Sequence, residues 1–104
     1  MHTHSHDQRY AVYHANDLSA MIEPQATRWH EDRSRHFTHV ADVAAPLEQI
    51  FALTNHIDHP WTSNPQVVWH TTKILLRSTS VGDVIVSCES GQAWLVMPVG
   101  LQEL

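Results

Sequence analysis

The sequence is short of several residue types, and each shortage excludes a class of protein. Only one cysteine, Cys88, occurs among the 104 residues, so no disulfide can form within the chain and a reducing cytoplasm is the expected location. There is no run of about 18 apolar residues, which excludes an ordinary transmembrane helix. No basic segment followed by an apolar one begins the chain, so secretion is not expected.

Basic residues are also scarce. Lysine and arginine number 6 against 11 aspartates and glutamates, which gives a net charge of −5 with histidine neutral. Such an acidic chain is repelled by a phosphate backbone, so we do not expect direct binding to nucleic acid. Ten histidines are present, and because they protonate near pH ~6.5 the net charge reverses sign at mildly acidic pH.

The length and the alternation of side chains indicate one domain that contains β-strands. We expect a single domain over residues 1–104 with a polar tail at 1–9, since this length suffices for one core. Residues 10–15 alternate and predict a first strand. Residues 36–43 predict a second strand, with Phe37, His39, Ala41 and Val43 sharing one face. Between these strands, at most one helical turn before Pro24 and then a loop around Trp29 are predicted.

The second half of the chain predicts a further strand and a C-terminal hairpin. Residues 66–80 contain no glycine or proline and many β-branched side chains, which favours one long strand, or two separated by a bulge. Residues 83–88 and 92–98 flank Gly91, which can take a positive φ, so they predict a hairpin. Cys88 is expected in the core together with Val84 and Val86.

One segment has helical periodicity. Apolar residues recur at steps of three and four at Leu47, Ile50, Phe51, Leu53 and Ile57, which predicts an amphipathic helix over about 46–57. Pro46 suits the first helical position, and Phe51 is expected to be buried. The predicted class is therefore α+β, a small and mainly antiparallel sheet of four to six strands with this helix packed on one face and a C-terminal hairpin.

The helix and the serine-rich turn after it carry a resemblance to a known family. The segment Leu-Glu-Gln-Ile-Phe-Ala-Leu-Thr-Asn at 47–55, the segment Ser78–Ile85 and the closing residues 96–104, with Gly100 and Leu104, resemble the YodL-like small domains. The resemblance covers residues 37–104. This chain departs from the family in its longer segment at 61–77 and in having Leu101 where an aromatic residue is more common.

The resemblance implies a biological setting more than a chemistry. YodL-like domains are encoded largely on plasmids, phages and integrated elements, often beside or inside large multi-domain proteins, and have no assigned activity. The resemblance therefore implies an accessory role in a mobile genetic element.

The Gly82-Asp83 turn has two interpretations. In the structural one, Gly82 permits a tight turn and Asp83 accepts a backbone N–H that fixes it. In the functional one, Ser78, Ser80 and Asp83 form a rim that contacts a partner.

The histidines also have two interpretations. His56 and His59 are spaced to share one face of a helix and, together with His70 or His39, can form a zinc site. His36 and His39 lie on a predicted strand, where the same spacing points them to opposite faces. Because the chain has one thiol, fewer than common structural zinc sites use, no metal or cofactor is expected and the histidines are assigned to hydrogen bonds.

Trp61 is the strongest candidate for a partner-binding residue. It lies in a proline-flanked loop, where it either folds back as a lid on the core or anchors a partner. As an anchor it would have His56, Asp58 and His59 as its polar rim.

Three classes of function are compatible with the sequence. The favoured one is a non-catalytic protein-binding module, an accessory factor or inhibitor that acts against a host nucleic-acid-processing or defence enzyme. It is supported by the small size, the acidity and the aromatic residues Trp61 and Trp69. The alternative is a small RNase-like hydrolase with paired histidines and with Arg33 or Arg77 on the phosphate. A cysteine–histidine nucleophile at Cys88 is the third.

Overall fold

The chain has the predicted α+β architecture. The computed structural model describes residues 8–17, 22–55, 60–74 and 76–104. Its strands are β1 (Arg9–Ala15), β2 (Phe37–Ala44), β3 (Val67–His70), β4 (Val84–Ser87), β5 (Ala93–Val96) and β6 (Leu101–Glu103), and its helices are α1 (Ile22–His36) and α2 (Leu47–Leu53). The strands form one six-stranded sheet in the order β3-β2-β1-β4-β5-β6, and every neighbouring pair is antiparallel. No helix in the described part of the chain is long and apolar enough to cross a membrane.

Each face of the sheet packs against one helix. On the α2 face, Ile50 packs with buried strand residues that include Val12, Val43, Ile85 and Val96. On the α1 face, Trp29 packs with Phe37, Ala15, Val84 and Leu95. Neighbouring residues such as Val84 and Ile85 are therefore both fully buried, because the sheet is covered on both sides where they lie.

The predicted strand β2 forms, but its side chains do not alternate regularly. The pairing with β1 shifts between Val12 and Tyr13, so that Val12 lies opposite Ala41 and Tyr13 opposite His39. The extra residue, Val40, is a bulge that reverses the alternation. The prediction that Phe37 and His39 share a face with Ala41 and Val43 is therefore wrong, since Phe37 packs on the α1 face and Val43 on the α2 face.

The prediction of a loop over residues 24–35 is also wrong. These residues belong to α1, in which Asp32 is the one interior residue with non-helical angles (φ −156°, ψ 62°). Pro24 lies in the first turn, where its missing N–H has no helical partner to lose. The helix surface is mostly polar, and Trp29, only 2% exposed, meets the rings of Tyr13 and Phe37 edge to face at 5.1 and 5.3 Å.

Helix α2 is shorter than predicted and has a different buried face. Pro46 is its N-cap and the helix ends at Leu53, so Thr54 and Asn55 are not helical and residues 56 and 57 lie outside the described residues. Ile50 is fully buried, whereas Phe51 is 38% exposed. The prediction that Phe51 is a core residue is therefore wrong.

The apolar segment that follows β3 is not a strand. Only Val67–His70 pair with β2, so the prediction of a long strand over 66–80 is wrong. In Arg77 and Thr79, which the prediction placed in that strand, backbone groups bond instead to segments outside the sheet. The carbonyl of Arg77 accepts the indole N–H of Trp61 at 2.9 Å, and the N–H of Thr79 donates to the carbonyl of Thr54 at 2.8 Å.

The C-terminal hairpin of β4 and β5 forms as predicted. Gly91, in its turn, has φ +79°, the left-handed conformation that glycine adopts without steric cost. Strand β4 ends at Ser87, so Cys88 lies exposed in the turn. The prediction that Cys88 enters the core with Val84 and Val86 is wrong.

Candidate functional site

A buried carboxylate holds three parts of the chain together. Asp83 has no exposed surface, and its two oxygens accept four hydrogen bonds. The N–H groups of Ala15 and Ser80 each donate at 2.8 Å, and the guanidinium of Arg77 donates from both terminal nitrogens at 2.7 and 2.8 Å. We call Asp83, Arg77, His14 and Thr79 the Asp83 clasp.

Arg77 is committed to this clasp. Beyond its two bonds to Asp83, it donates to the carbonyls of Ser78 at 2.9 Å and Ala15 at 3.1 Å. These bonds join the end of β1 to the segment before β4. Arg77 therefore has a structural role here, and its guanidinium is occupied rather than free for the phosphate proposed in the hydrolase alternative.

His14 completes the clasp from the central strand. It is 5% exposed, and its Nε2 lies 3.0 Å from the Thr79 hydroxyl and 3.9 Å from Asp83 Oδ2. Burial lowers the pKa of His14 to about 4, with Asp83 opposing the shift and Arg77 adding to it. The histidine, hydroxyl and carboxylate together resemble a catalytic triad, but Thr79 and Asp83 have no exposed surface, so no substrate can reach them.

The lowered pKa of His14 makes stability depend on pH. The unfolded chain binds a proton on His14 below pH ~6.5, whereas the folded chain binds it only below about 4. The neutral His14 therefore makes its full contribution to the free energy of unfolding above pH ~6.5. This contribution, about 3 kcal/mol, is lost as the pH falls towards 4. We expect urea unfolding from pH ~7 to ~4 to show this extra loss in the wild type relative to His14→Gln. Parallel pH profiles for the two proteins would contradict it.

The structure places the predicted partner-binding residues in different surroundings. Trp61 is 3% exposed and its ring lies 6.1 Å from that of His14, so it folds back as a lid on the core rather than standing out as an anchor. Of the predicted rim of Ser78, Ser80 and Asp83, the two serines are half-buried and Asp83 has no exposed surface, so Asp83 cannot contact a partner directly. His56, Asp58 and His59 lie outside the described residues.

The histidines considered for zinc are separately engaged where the structure describes them. His70 Nδ1 lies 3.0 Å from the carbonyl of Thr71, and His39 Nε2 lies 2.7 Å from the carboxylate of Asp42. Within residues 8–17, 22–55, 60–74 and 76–104, no three histidine, cysteine, aspartate or glutamate side chains are grouped as a metal site requires.

An aromatic stack crosses the α1 face towards the β3 edge of the sheet. The ring of His39 stacks on Tyr13 at 5.0 Å and meets Trp69 at 4.8 Å on its other side. Trp69 is 44% exposed.

Arg33 is also engaged, because its guanidinium lies 4.4 Å above the ring of Trp29, a cation–π contact. The second arginine proposed for phosphate binding is thus also engaged within the chain.

Cys88 has the environment of a weak nucleophile. Although the residue is exposed, partial burial of its thiol and the carboxylate of Asp42 raise its pKa, against a lowering by Arg9. A raised pKa keeps the thiol protonated at neutral pH, and only the thiolate is strongly nucleophilic. The structure gives no support to a cysteine–histidine nucleophile.

An apolar groove lies between α2 and the β5–β6 hairpin. Its volume is about 520 Å³, and it is lined by Leu47, Glu48, Phe51, Val81, Val96, Met97, Pro98, Gly100 and Leu101. Phe51 and Val81 are 38% and 39% exposed, and neighbouring Val99 is 91% exposed. Sequence reasoning missed this groove, because the helical periodicity assigned Phe51 to the core.

The charge around this groove is negative. Among the described residues of the lining, Glu48 is the one charged residue, and Glu103 of β6 lies opposite Trp94. Burial raises the pKa of Tyr10, and the carboxylates of Glu48 and Glu89 raise it further. No lysine or arginine lines the groove, so a basic group on a ligand would be attracted to it.

The two segments that carry the family resemblance form one unit at the end of α2. The side-chain amide of Asn55 donates to the carbonyl of Thr79 at 2.7 Å, and the N–H of Thr79 donates to the carbonyl of Thr54 at 2.8 Å. The resemblance to YodL-like domains stays a prediction. Comparisons with protein-family models, curated proteins and solved structures find no match to this chain.

Proposed function

We propose that this chain is a non-catalytic protein-binding module whose partner occupies the apolar groove between α2 and the β5–β6 hairpin. The observation that carries the proposal is the groove itself, in which Phe51 and Val81 are each more than a third exposed. Large apolar side chains grouped at a concave surface and bordered by charge are typical of protein interaction sites.

The position of the polar groups also favours binding over catalysis. The Asp83 clasp contains His14, whose pKa is lowered by burial, but it lies in the interior and serves to join chain segments. Arg33 and Arg77 contact Trp29 and Asp83 respectively. No specific observation favours the RNase-like alternative, whose paired histidines His56 and His59 fall outside the described residues.

The biological role that we propose follows from the family resemblance and the charge. An accessory factor or inhibitor from a plasmid or phage would act in the host cytoplasm on a host protein. A net charge of −5 complements the basic channels of nucleic-acid-processing and defence enzymes. Electrostatic complementarity of this kind accelerates encounter and selects partners.

A peptide-display selection tests the proposed groove. Random peptides would be selected on the wild-type chain and their affinities compared on two variants. Phe51→Gln removes the exposed ring but keeps a good helix former, and we expect it to weaken binding about tenfold or more. Val68→Thr changes an exposed residue of β3 (45% exposed), and it should leave affinity unchanged. Selected peptides that bind both variants as well as the wild type would contradict the proposal.

A further inference from the structure

We infer that the partner segment binds in an extended conformation, as a seventh strand added to the outer edge of β6, with a basic–x–apolar sequence facing the groove. The inference rests on the proposed function, because the same groove receives the apolar side chain. It adds the backbone geometry of the partner, its direction and the position of its charge.

The first support is the open edge of the sheet. Strand β6 is the last in the strand order, and within the described residues it pairs only with β5. An edge strand presents unpaired backbone N–H and C=O groups, onto which another chain can add a strand.

The register shows which groups of β6 point outward. Two backbone hydrogen bonds lie on either side of β6. The N–H of Met97 donates to the carbonyl of Gly100 at 3.1 Å, and the N–H of Leu104 donates to the carbonyl of Ala93 at 2.9 Å. Hydrogen-bonded and non-bonded pairs alternate along an antiparallel ladder, so Gln102 is bonded inward to β5. The N–H and C=O groups of Leu101 and Glu103 therefore point away from the sheet.

The same two residues direct their side chains to the groove face. Leu101 lies opposite Val96 and packs with the core beneath α2, and Glu103, two residues on, shares that face. A partner residue that exchanges backbone bonds with either one places its own side chain on the same face. An added strand thus places alternate side chains on the face of the sheet that carries the groove.

The charge fixes the sequence that fits best. An apolar residue opposite Leu101 enters the groove beside Phe51 and Val81. Lysine or arginine opposite Glu103 forms a cross-strand ion pair, and Glu48 is a second acidic residue beside the groove. We take the added strand as antiparallel to β6, because every neighbouring pair in this sheet is antiparallel and parallel pairing is slightly less stable. In that direction the two partner residues read basic–x–apolar from N- to C-terminus.

The acidity also distinguishes this partner from a second copy of the chain. A dimer made through two β6 edges would bring together the Glu103 side chains of two chains that each carry a net charge of −5. Like charges on paired strands destabilise the pairing. The partner is therefore a different protein with a basic, extended segment.

Two substitutions at one position test the added strand. The probe is the set of displayed peptides whose binding depends on Phe51. Glu103→Ala removes the charge alone, whereas Glu103→Pro also removes an outward N–H, a change that edge strands tolerate. We expect Glu103→Pro to melt at the same temperature as Glu103→Ala but to bind these peptides about tenfold more weakly than it. Glu103→Lys should shift the selected peptides from basic to acidic at the paired position.

The remaining outcomes separate this inference from the proposed function. N-methylation of alternate peptide amides should abolish binding, because only alternate N–H groups of an added strand bond to β6. Two results would contradict the added strand without contradicting binding in the groove. One is a set of selected peptides whose apolar residues have helical spacing, and the other is equal affinity of the peptides for Glu103→Pro and Glu103→Ala. A dimer that dissociates in Glu103→Pro would also overturn it. Peptides whose binding ignores Phe51 would overturn both proposals.

Discussion

Replacing Asp83 with alanine is expected to lower the free energy of unfolding by about 3 kcal/mol, the lower end of the usual cost of removing one member of a buried ion pair, because the side chain of Arg77 is 33% exposed. Asp83 has no exposed surface. Its removal deprives the N–H groups of Ala15 and Ser80 of this acceptor and leaves the guanidinium of Arg77 with the carbonyls of Ser78 and Ala15 alone. Unpaired polar groups of this kind carry a large desolvation cost.

The measurement is urea unfolding of Asp83→Ala beside Glu103→Ala, a matched loss of an exposed carboxylate. The control should change stability by no more than about 0.5 kcal/mol. Asp83→Asn tests the charge separately, because the amide keeps the shape of the side chain but replaces one acceptor oxygen with a donor. If Asp83→Ala were as stable as Glu103→Ala, the clasp would have no structural role.

The clasp shows where local sequence patterns stop being informative. Gly82 and Asp83 indicate a turn, and Gly82 has the positive φ (+96°) that such a turn requires. The partners of Asp83 cannot be deduced in this way, because Ala15 is 68 residues away along the chain. His14 is likewise placed beside Thr79 by sheet pairing and not by any local motif.

The elements that were correctly predicted depend on short-range patterns. Strand β1 was predicted from the side chains that alternate over residues 10–15, and the β4–β5 hairpin from the glycine at its turn. The elements that were missed depend on tertiary contacts. Helix α1 is mostly polar and packs through Trp29, and the bulge at Val40 changes the phase of β2 without a signal in the residues.

The groove illustrates the same limit for the candidate site. Its walls come from α2, from Val81 and from the β5–β6 hairpin, so only the folded chain brings them together. The helical periodicity includes both Ile50 and Phe51, and an angular step of 100° per residue cannot place both at the centre of one face. The packing selects Ile50, and Phe51 is left at the groove.

Replacing Trp61 with alanine is expected to lower the free energy of unfolding by about 3–5 kcal/mol, as for other large aromatic residues in a core. The ring is 3% exposed and belongs to the cluster beneath α2. Its indole N–H donates to the carbonyl of Arg77 at 2.9 Å. The substitution therefore removes both a large apolar contact and a hydrogen bond to the backbone of Arg77, a member of the Asp83 clasp.

Two further variants separate these contributions. Trp61→Phe keeps an aromatic ring but removes the N–H, so it should cost less than alanine, with about 1–3 kcal/mol from the unsatisfied carbonyl. Trp69→Ala removes a tryptophan that is 44% exposed, and its loss of stacking on His39 should cost about 1 kcal/mol. Thermal and urea unfolding of the three proteins should show the largest loss of stability for Trp61→Ala and smaller losses for Trp61→Phe and Trp69→Ala.

Peptide binding tests whether Trp61 stays packed as a lid on the core or leaves it to anchor a partner. Trp61 does not line the groove, so below its melting temperature Trp61→Ala should bind the selected peptides as tightly as the wild type. Reduced stability with unchanged affinity is the result that the lid predicts. Unchanged stability with lost affinity would instead show that Trp61 leaves the core to anchor a partner, and would move the binding surface away from α2 and β6.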